Sequence, residues 1–299
     1  MLQCPLIKMT NNTTFHMTNL NNFGVLYIIA TPIGNLQDVT LRAIETLKKV
    51  DLIAAEDTRH SQPFLQHYSI SKPILSLHEH NERERAEKLI KELTEGKSIA
   101  LISDAGTPLI SDPGFFLVQK ARDQGITIVP IPGACAAIAA LSVSGLPTDR
   151  FVFEGFLPAK SSARLQRLNL LQTETRTMVF YESPRRVLDL LKDLQKTFGD
   201  DRKVVVAREL TKMFETIFSG KLQEIIERVE NDDNQQRGEL VVLVAGADEV
   251  ASHQAISSDL VLTELLKHLP LKEAVDIAVK ITGERKNTLY QRALELKMS

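Results

Sequence analysis

An α/β fold is predicted by three features of this 299-residue sequence. Short apolar, β-branched runs recur along it and close on Gly, Pro or Asp. Each is followed by a stretch whose apolar residues have helical spacing, and such alternation builds largely parallel sheets covered by helices. The third feature is the Leu146-Pro147-Thr148-Asp149 break, which follows an apolar small-residue helix and precedes a new strand. It divides the chain into two α/β domains, in keeping with roughly 100–200 residues per domain.

Residues 1–24, rich in Asn and Thr, read as a polar tail outside the fold, disordered or mis-annotated, with residues 1–16 absent if translation starts at Met17. The tail has no arginine and no continuous apolar run, which argues against a secretory or organellar leader. The first domain is expected over 25–147. VLYIIA (25–30) is a buried strand ended by Thr31-Pro32. Asp38 stands as the N-cap of LRAIETLKKV, whose Leu41, Ile44, Leu47 and Val50 share one face. DLIAAE (51–56) and KPILSL (72–77) are the next strands. Asn81 caps the charged ERERAEKLIKELTE helix, whose sparse apolar stripe assigns it to the surface. SIALIS (98–103) and GITIVPI (125–131) are the remaining strands of this half.

The second domain is expected over 148–247: RFVFEGF, TMVFYE (177–182), a helix from Pro184, KVVVAREL (203–210), ETIFSG, a helix to about Glu230, and GELVVLVAG (238–246) after a polar turn. A linker (247–258) leads to a helical extension over 258–299, where Pro270 and Gly283 part three amphipathic helices. The last pair has the shape of a helix-turn-helix with a basic approach, which fits a nucleic-acid contact or equally a docking bundle.

Charge and composition exclude several classes. Thirty-six Lys and Arg against 38 Asp and Glu rule out a uniformly basic nucleic-acid coat, though local basic faces remain. Two cysteines, Cys4 and Cys135, exclude a disulfide scaffold and a four-cysteine zinc site. No apolar run approaches the ~20 residues of a membrane span, so a cytoplasmic protein is expected.

Three Gly/Pro-rich loops, TPIGN (31–35), SDAGTPLISDPG (103–114) and IPGACAA (131–137), follow strands at their C-terminal ends. Ligands of open α/β sheets bind at that edge. None of the loops matches G-x-G-x-x-G or the Walker pattern, which disfavours nicotinamide and P-loop enzymes. AAEDTRHS (54–61) packs Glu56, Asp57, Arg59 and His60 directly after a buried strand. His78 and His80 beside Glu79 lack a third ligand at a familiar spacing, so no metal is expected. There is no G-x-S-x-G elbow, and Cys135 reads as core packing in an alanine-rich helix. Two stretches each carry +3: residues 157–176, with Lys160, Arg164, Arg167 and Arg176, and residues 202–212, with Arg202, Lys203, Arg208 and Lys212. Both fit a phosphate-rich partner, and either alone fits a solvated helix face.

LYIIATPIGNLQDVT, AEDTRHS, SLHEHNE, SDAGTPLISDPG, IPGACAAIAALSVSGLPTDRF, GFLPAK, FYESPRR and ARELTKMFET follow one another in the order and spacing of one family. From about Leu26 to the C-terminus the chain closely resembles the bacterial ribosomal RNA small-subunit methyltransferase I enzymes of the tetrapyrrole (corrin/porphyrin) methylase superfamily. The resemblance implies two α/β domains of the tetrapyrrole methylase type with S-adenosylmethionine in the cleft between them. It also implies a homodimer, acting on 16S rRNA or the 30S subunit, that methylates the 2′-hydroxyl of cytidine 1402 in the decoding centre.

By the same resemblance the cofactor contacts are Thr31 and Pro32, then Asp104, Ala105, Gly106, Thr107 and Pro108, then Gly133, Ala134 and Cys135, with Phe180, Tyr181 and Glu182 as a second-domain wall. The middle loop reads D-A-G-T-P where the superfamily usually has G-x-G-D-P, so the contact of that Asp is missing or supplied differently. The helical tail resembles an RNA-contacting extension. Methyl transfer to a ribose hydroxyl needs collinear positioning and a base or cation for the attacking oxygen. The candidates are Glu56, Arg59 and His60, with Lys160, Arg164, Arg208, Lys212, Arg285, Lys286 and Arg292 as RNA contacts. The rival readings are a tetrapyrrole or other small-molecule methylase of the same fold, and a non-catalytic ribosome-assembly factor.

Overall fold

The computed structural model describes residues 22–248 and 258–298. Met17, the rest of the N-terminal tail through residue 21 and most of the expected linker lie outside the described residues. The chain forms two compact units, one ending at Ala136 and the other beginning at Ala137.

The first unit contains β1 (Val25–Ile29), α1 (Leu41–Lys49), β2 (Leu52–Ala55), α2 (Thr58–His67), β3 (Ile74–Ser76), α3 (Glu82–Thr94), β4 (Ile99–Ile102), α4 (Phe115–Asp123) and β5 (Thr127–Ile131). Its sheet has the order β3-β2-β4-β1-β5, and every pairing is parallel. Alternation along the strands feeds two cores. Leu26, Ile99 and Leu101 pack with Leu89, Leu93, Leu117 and Ala121 from α3 and α4. Ile29, Ala100 and Ile102 pack with Ala43, Leu47, Phe64 and Leu65 from α1 and α2. Both faces of the sheet are therefore covered, as the apolar strands require.

Several local expectations need correction. Thr40, not Asp38, caps α1: its Oγ1 accepts from Ala43 N at 3.1 Å. Asp38 ends a 3-10 turn over Leu36–Asp38. Leu41 is 80% exposed, so it does not belong to the buried face of α1. The charged AEDTRHS segment, for which no helix is predicted, opens α2 with Asp57 as N-cap. Nor is α3 a surface helix, because Ala86, Leu89, Ile90 and Leu93 are buried. Asn81 gives its first turn no side-chain cap; its Oδ1 accepts instead from His78 N at 2.9 Å. Cys135 precedes helix α5 (Ala136–Ser144) and is only half-buried.

The second unit adds to α5 the elements β6 (Phe151–Phe156), α6 (Ser161–Leu170), β7 (Thr177–Glu182), α7 (Val187–Phe198), β8 (Lys203–Arg208), β9 (Thr216–Lys221), α8 (Leu222–Asn231) and β10 (Leu240–Val244). The sheet order is β6-β7-β10-β8-β9. Only β6–β7 is parallel; β10 runs antiparallel to both β7 and β8, and β8 to β9. One sheet face, carrying Met178, Phe180, Val204, Val206 and Val242, packs on Leu168 of α6, Leu190 and Leu194 of α7, and Leu222 and Ile225 of α8.

The extension forms α9 (Ser258–Leu266), α10 (Leu271–Thr282) and α11 (Lys286–Met298). Val261, Leu262, Val275, Ala278, Leu289 and Ala293 make its small core. Gly283 terminates α10 at φ 71°, the left-handed position that glycine occupies without penalty.

Candidate active site

In the first sheet, β1 connects toward β2 on one side, while β4, its neighbour, connects across β1 to β5. The chain thus diverges at the β1–β4 pair, the switch point where open α/β sheets hold ligands. The three Gly/Pro-rich loops meet there. Thr31 and Gly106 exchange backbone hydrogen bonds of 2.8 and 3.1 Å. Thr31 Oγ1 donates to the Ser103 carbonyl at 3.2 Å, which buries and fully engages that side chain. Thr107 Oγ1 donates to the Ala134 carbonyl at 3.0 Å, linking the β4 loop to the β5 loop. A Cβ at Gly133 would stand 2.9 Å from the Ala30 Cβ, so only glycine allows that approach. Pro108 is buried, Pro32, Asp104, Ala134 and Cys135 are half-buried, and Ala105 and Gly133 are exposed.

The β4 loop is under backbone strain. Leu109 and Ser111 have φ of 72° and 67°, uncommon for residues with side chains. Its far end is anchored by buried Glu82, whose Oε1 accepts from Gly114 N at 3.0 Å and Phe116 N at 2.8 Å. A carboxylate thereby caps the positive end of α4. Sequence reasoning missed Glu82, whose signal is weak: an acid at the first position of one helix serves another.

Around this frame stand three carboxylates. Glu56 directly follows β2, and Asp104 Oδ1 accepts from Asp57 N at 3.0 Å. Asp112, which sequence reasoning also missed, lies near Ser103, whose hydroxyl opposes the effects that raise its pKa. Burial, then the charges of Glu56 and Asp104, push the Asp112 carboxyl up to about 7. Glu56 is likewise raised, first by burial and then by Asp104, with His60 pulling the other way. Perturbed acids of this kind gather at functional sites. Among the described residues no group of three His, Cys, Asp or Glu side chains is arranged to hold a metal ion.

The other predicted residues divide sharply. Arg59 is 89% exposed and engaged with Asp57 at 2.7 Å, holding that carboxyl down to about 2. It supports the cap of α2. His60 is exposed on the first turn of α2, near enough for its charge to act on Glu56. In the second unit Phe180 is fully buried in the helix-covered core and Glu182 is also buried, so neither lines a ligand surface. Only Tyr181 is half-exposed; its hydroxyl accepts from Ala137 N at 3.2 Å.

Most of the expected RNA-contacting cations are already engaged. Arg164 is buried against Asp193 at 2.7 Å. Arg208 is buried and donates to the Phe214 carbonyl and Thr216 Oγ1. Lys212 bridges Glu209 and Glu239. In the tail Lys286 pairs with Asp276, and Arg292 makes a two-pronged pair with Asp259 at 2.7 and 2.9 Å. Lys160 and Arg285 are exposed, with no ion pair among the described residues.

Comparison with known proteins bears on the chemistry. The model of the Tetrapyrrole (Corrin/Porphyrin) Methylases matches residues 25–226, and that of the RsmI C-terminal HTH domain matches residues 255–297. The chain is 55% identical over 274 residues to the Ribosomal RNA small subunit methyltransferase I of Pseudomonas aeruginosa, covering 91% of this chain and 97% of the relative. It is 51% identical over 286 residues to the protein of the same name from Escherichia coli O157:H7, covering 94% and 98%. Two solved structures are similar in fold. Diphthine synthase gives a TM-score of 0.58 at 13% identity over 77% of this chain and 93% of that one. Uroporphyrin-III-C-methyltransferase from Thermus thermophilus gives 0.54 at 17% identity over 74% and 94%.

Proposed function

The chain belongs to the tetrapyrrole (corrin/porphyrin) methylases, among the ribosomal RNA small subunit methyltransferase I proteins, and from that premise we propose that it uses S-adenosylmethionine to methylate the ribose 2′-hydroxyl of cytidine 1402 in 16S rRNA. The observation that carries the reading is the group of Glu56, Asp104 and Asp112 beside the three knotted loops at the β1–β4 switch point. Half-buried acids whose pKa values are raised by burial and then by one another's charge suit a cationic ligand, and S-adenosylmethionine carries a sulfonium and an ammonium group. Gly106, Thr107 and Ala134 would hold the cofactor along the loop backbones. Bound there, it would supply the methyl group and leave as the neutral thioether.

The chain's own residues prepare the acceptor. A ribose hydroxyl is a weak nucleophile while it keeps its proton, and the best base has a pKa near the working pH. Asp112, at about 7, accepts that proton on its carboxylate as the oxygen–methyl bond forms. Glu56 and Asp104 act by keeping Asp112 basic. The target nucleotide must leave its stack to reach the site. The same reading takes the enzyme as a cytoplasmic homodimer acting on 16S rRNA or the 30S subunit, with the tail helices as an RNA-contacting extension. Among the described residues no helix is long and apolar enough to cross a membrane.

Mass spectrometry of nuclease-digested 16S rRNA from a strain lacking the gene, with and without the gene restored, tests the assignment. Loss of a single 2′-O-methyl at the decoding-centre cytidine, regained on complementation, is the expected result. An unchanged methylation map overturns it and redirects the search to small-molecule acceptors.

The cofactor placement has its own test. Gly106 has φ +89°, and an added Cβ would stand 3.3 Å from Ile33 Cγ2. Gly106→Ala is therefore expected to strain the loop by about 1–2 kcal/mol and weaken S-adenosylmethionine binding roughly 5- to 30-fold by calorimetry. Unchanged affinity in the folded variant removes this loop from the cofactor site.

A further inference from the structure

The second unit gathers a different set of groups at one end of its sheet. Strands β6 and β7 are parallel, and β7 and β8 both run antiparallel to β10, so β6, β7 and β8 all end at the same edge. Their last residues are Phe156, Glu182 and Arg208. The loops that leave this edge are tied down. Arg186 donates to the Leu157 carbonyl at 2.7 Å and faces buried Glu182 at 3.1 Å, joining the loops after β6 and β7. Arg208 donates to the Phe214 carbonyl at 2.9 Å and the Arg237 carbonyl at 3.4 Å. Thr211 N donates to Glu215 Oε2 at 2.6 Å. Glu209 and Thr211 take φ of 53° and 66°, a cost that a plain connector would not need.

This rigid edge presents large apolar side chains to solvent. Phe156 is 57% exposed, Phe214 68% and Met213 90%. Beside them Lys160 and Arg185 are exposed and make no ion pair among the described residues, whereas Arg186 and Lys212 are matched by acids. Two features decide what such a surface receives. Aromatic side chains cover ~150–250 Å² each, so the exposed rings offer less than the ~800 Å² per partner of a stable protein interface. Unpaired cations interleaved with exposed aromatics suit an anionic polymer whose bases can stack. Strands β6 and β8 are three strand spacings apart, about 14 Å. That is some four times the ~3.4 Å between stacked bases, and with Phe214 in the loop beyond β8 the surface fits bases splayed apart in a single strand.

We infer that this edge is a single-stranded RNA platform, on which Phe156 and Phe214 stack with unpaired bases and Lys160 and Arg185 contact the phosphates. The inference rests on the rRNA reading above and names the surface by which the second unit would hold the RNA.

The test uses full-length protein with 30S subunits, and with 16S rRNA extracted from them, both from a strain lacking the gene. Phe156→Ala and Phe214→Ala are each expected to weaken RNA binding about 5- to 100-fold at fixed salt, with the melting temperature and S-adenosylmethionine affinity unchanged. Phe214→Trp is expected to retain wild-type affinity, because stacking needs a ring rather than a particular residue. Lys160→Ala and Arg185→Ala are each expected to reduce the salt slope of binding by about one. A folded double alanine variant that binds RNA as wild type overturns the platform while leaving the rRNA reading intact. So does a variant that loses only self-association, which would make this edge a contact between copies. Wild-type protein that binds neither substrate overturns both.

Discussion

Asp112→Asn is expected to lower methyl transfer about 10²- to 10⁴-fold, the usual contribution of a positioned proton acceptor. An amide keeps the shape of the side chain but cannot take a proton. S-adenosylmethionine affinity should change far less, because Glu56 and Asp104 remain. In the wild type, activity should rise with pH through about 7 as Asp112 ionises, and that limb should vanish in the residual activity of the variant. The linkage gives an independent signature. The folded pKa lies above the ordinary carboxylate value of 3.8, so between about 4 and 7 the native state binds more protons than the unfolded chain. Stability contributed by this group therefore falls as pH rises through that window. Asn escapes the fall, so the variant should melt higher than wild type at pH 8 and by a diminishing margin as pH drops toward 4. Lower activity with higher stability is what a strained functional acid predicts. A variant that is both fully active and no more stable removes Asp112 from the chemistry.

The parts of this protein legible in the sequence are those specified by local pattern. Runs such as VLYIIA and SIALIS have the apolar density of strands buried on both faces, and both form strands in a fully parallel sheet. The three loops that meet at the switch point were recognisable because glycine and proline mark turns at strand ends, and Thr31, Gly106 and Ala134 are indeed knotted together. Helix α2 was hidden because its first turn is charged and Pro63 interrupts it, and both features imitate a loop. Asp112 was hidden for another reason: its pKa is set first by burial and then by the charges of Glu56 and Asp104, which only the fold brings about. Phe180 and Glu182 lie on the opposite sheet face from Tyr181. Alternate residues of a strand face opposite ways, so Tyr181 could not share a surface with both neighbours.

Arg164→Ala is expected to cost about 3–5 kcal/mol of stability, a large share of the 5–15 kcal/mol that holds a typical domain folded. In the sequence Arg164 belongs to a +3 stretch and reads as a phosphate contact. In the structure its side chain and that of Asp193 are each only 3% exposed, bonded at 2.7 Å through one guanidinium nitrogen and 2.9 Å through Nε. Burial alone would raise the Asp193 carboxyl, but bonds from Ser161, Arg164 and Lys196 outweigh it and hold the group below its ordinary range. Removing Arg164 strands that charge in the interior between α6 and α7. Chemical denaturation should register the loss, and replacing both partners by apolar residues of similar volume, Arg164→Met with Asp193→Leu, should recover most of it. Lys160, four residues earlier and exposed, provides the contrast, since its alanine variant should weaken RNA binding with stability within about 0.5 kcal/mol of wild type. A stable Arg164→Ala protein with impaired RNA binding would reverse the two roles. The comparison separates charge that a sequence can count from charge that a surface can offer.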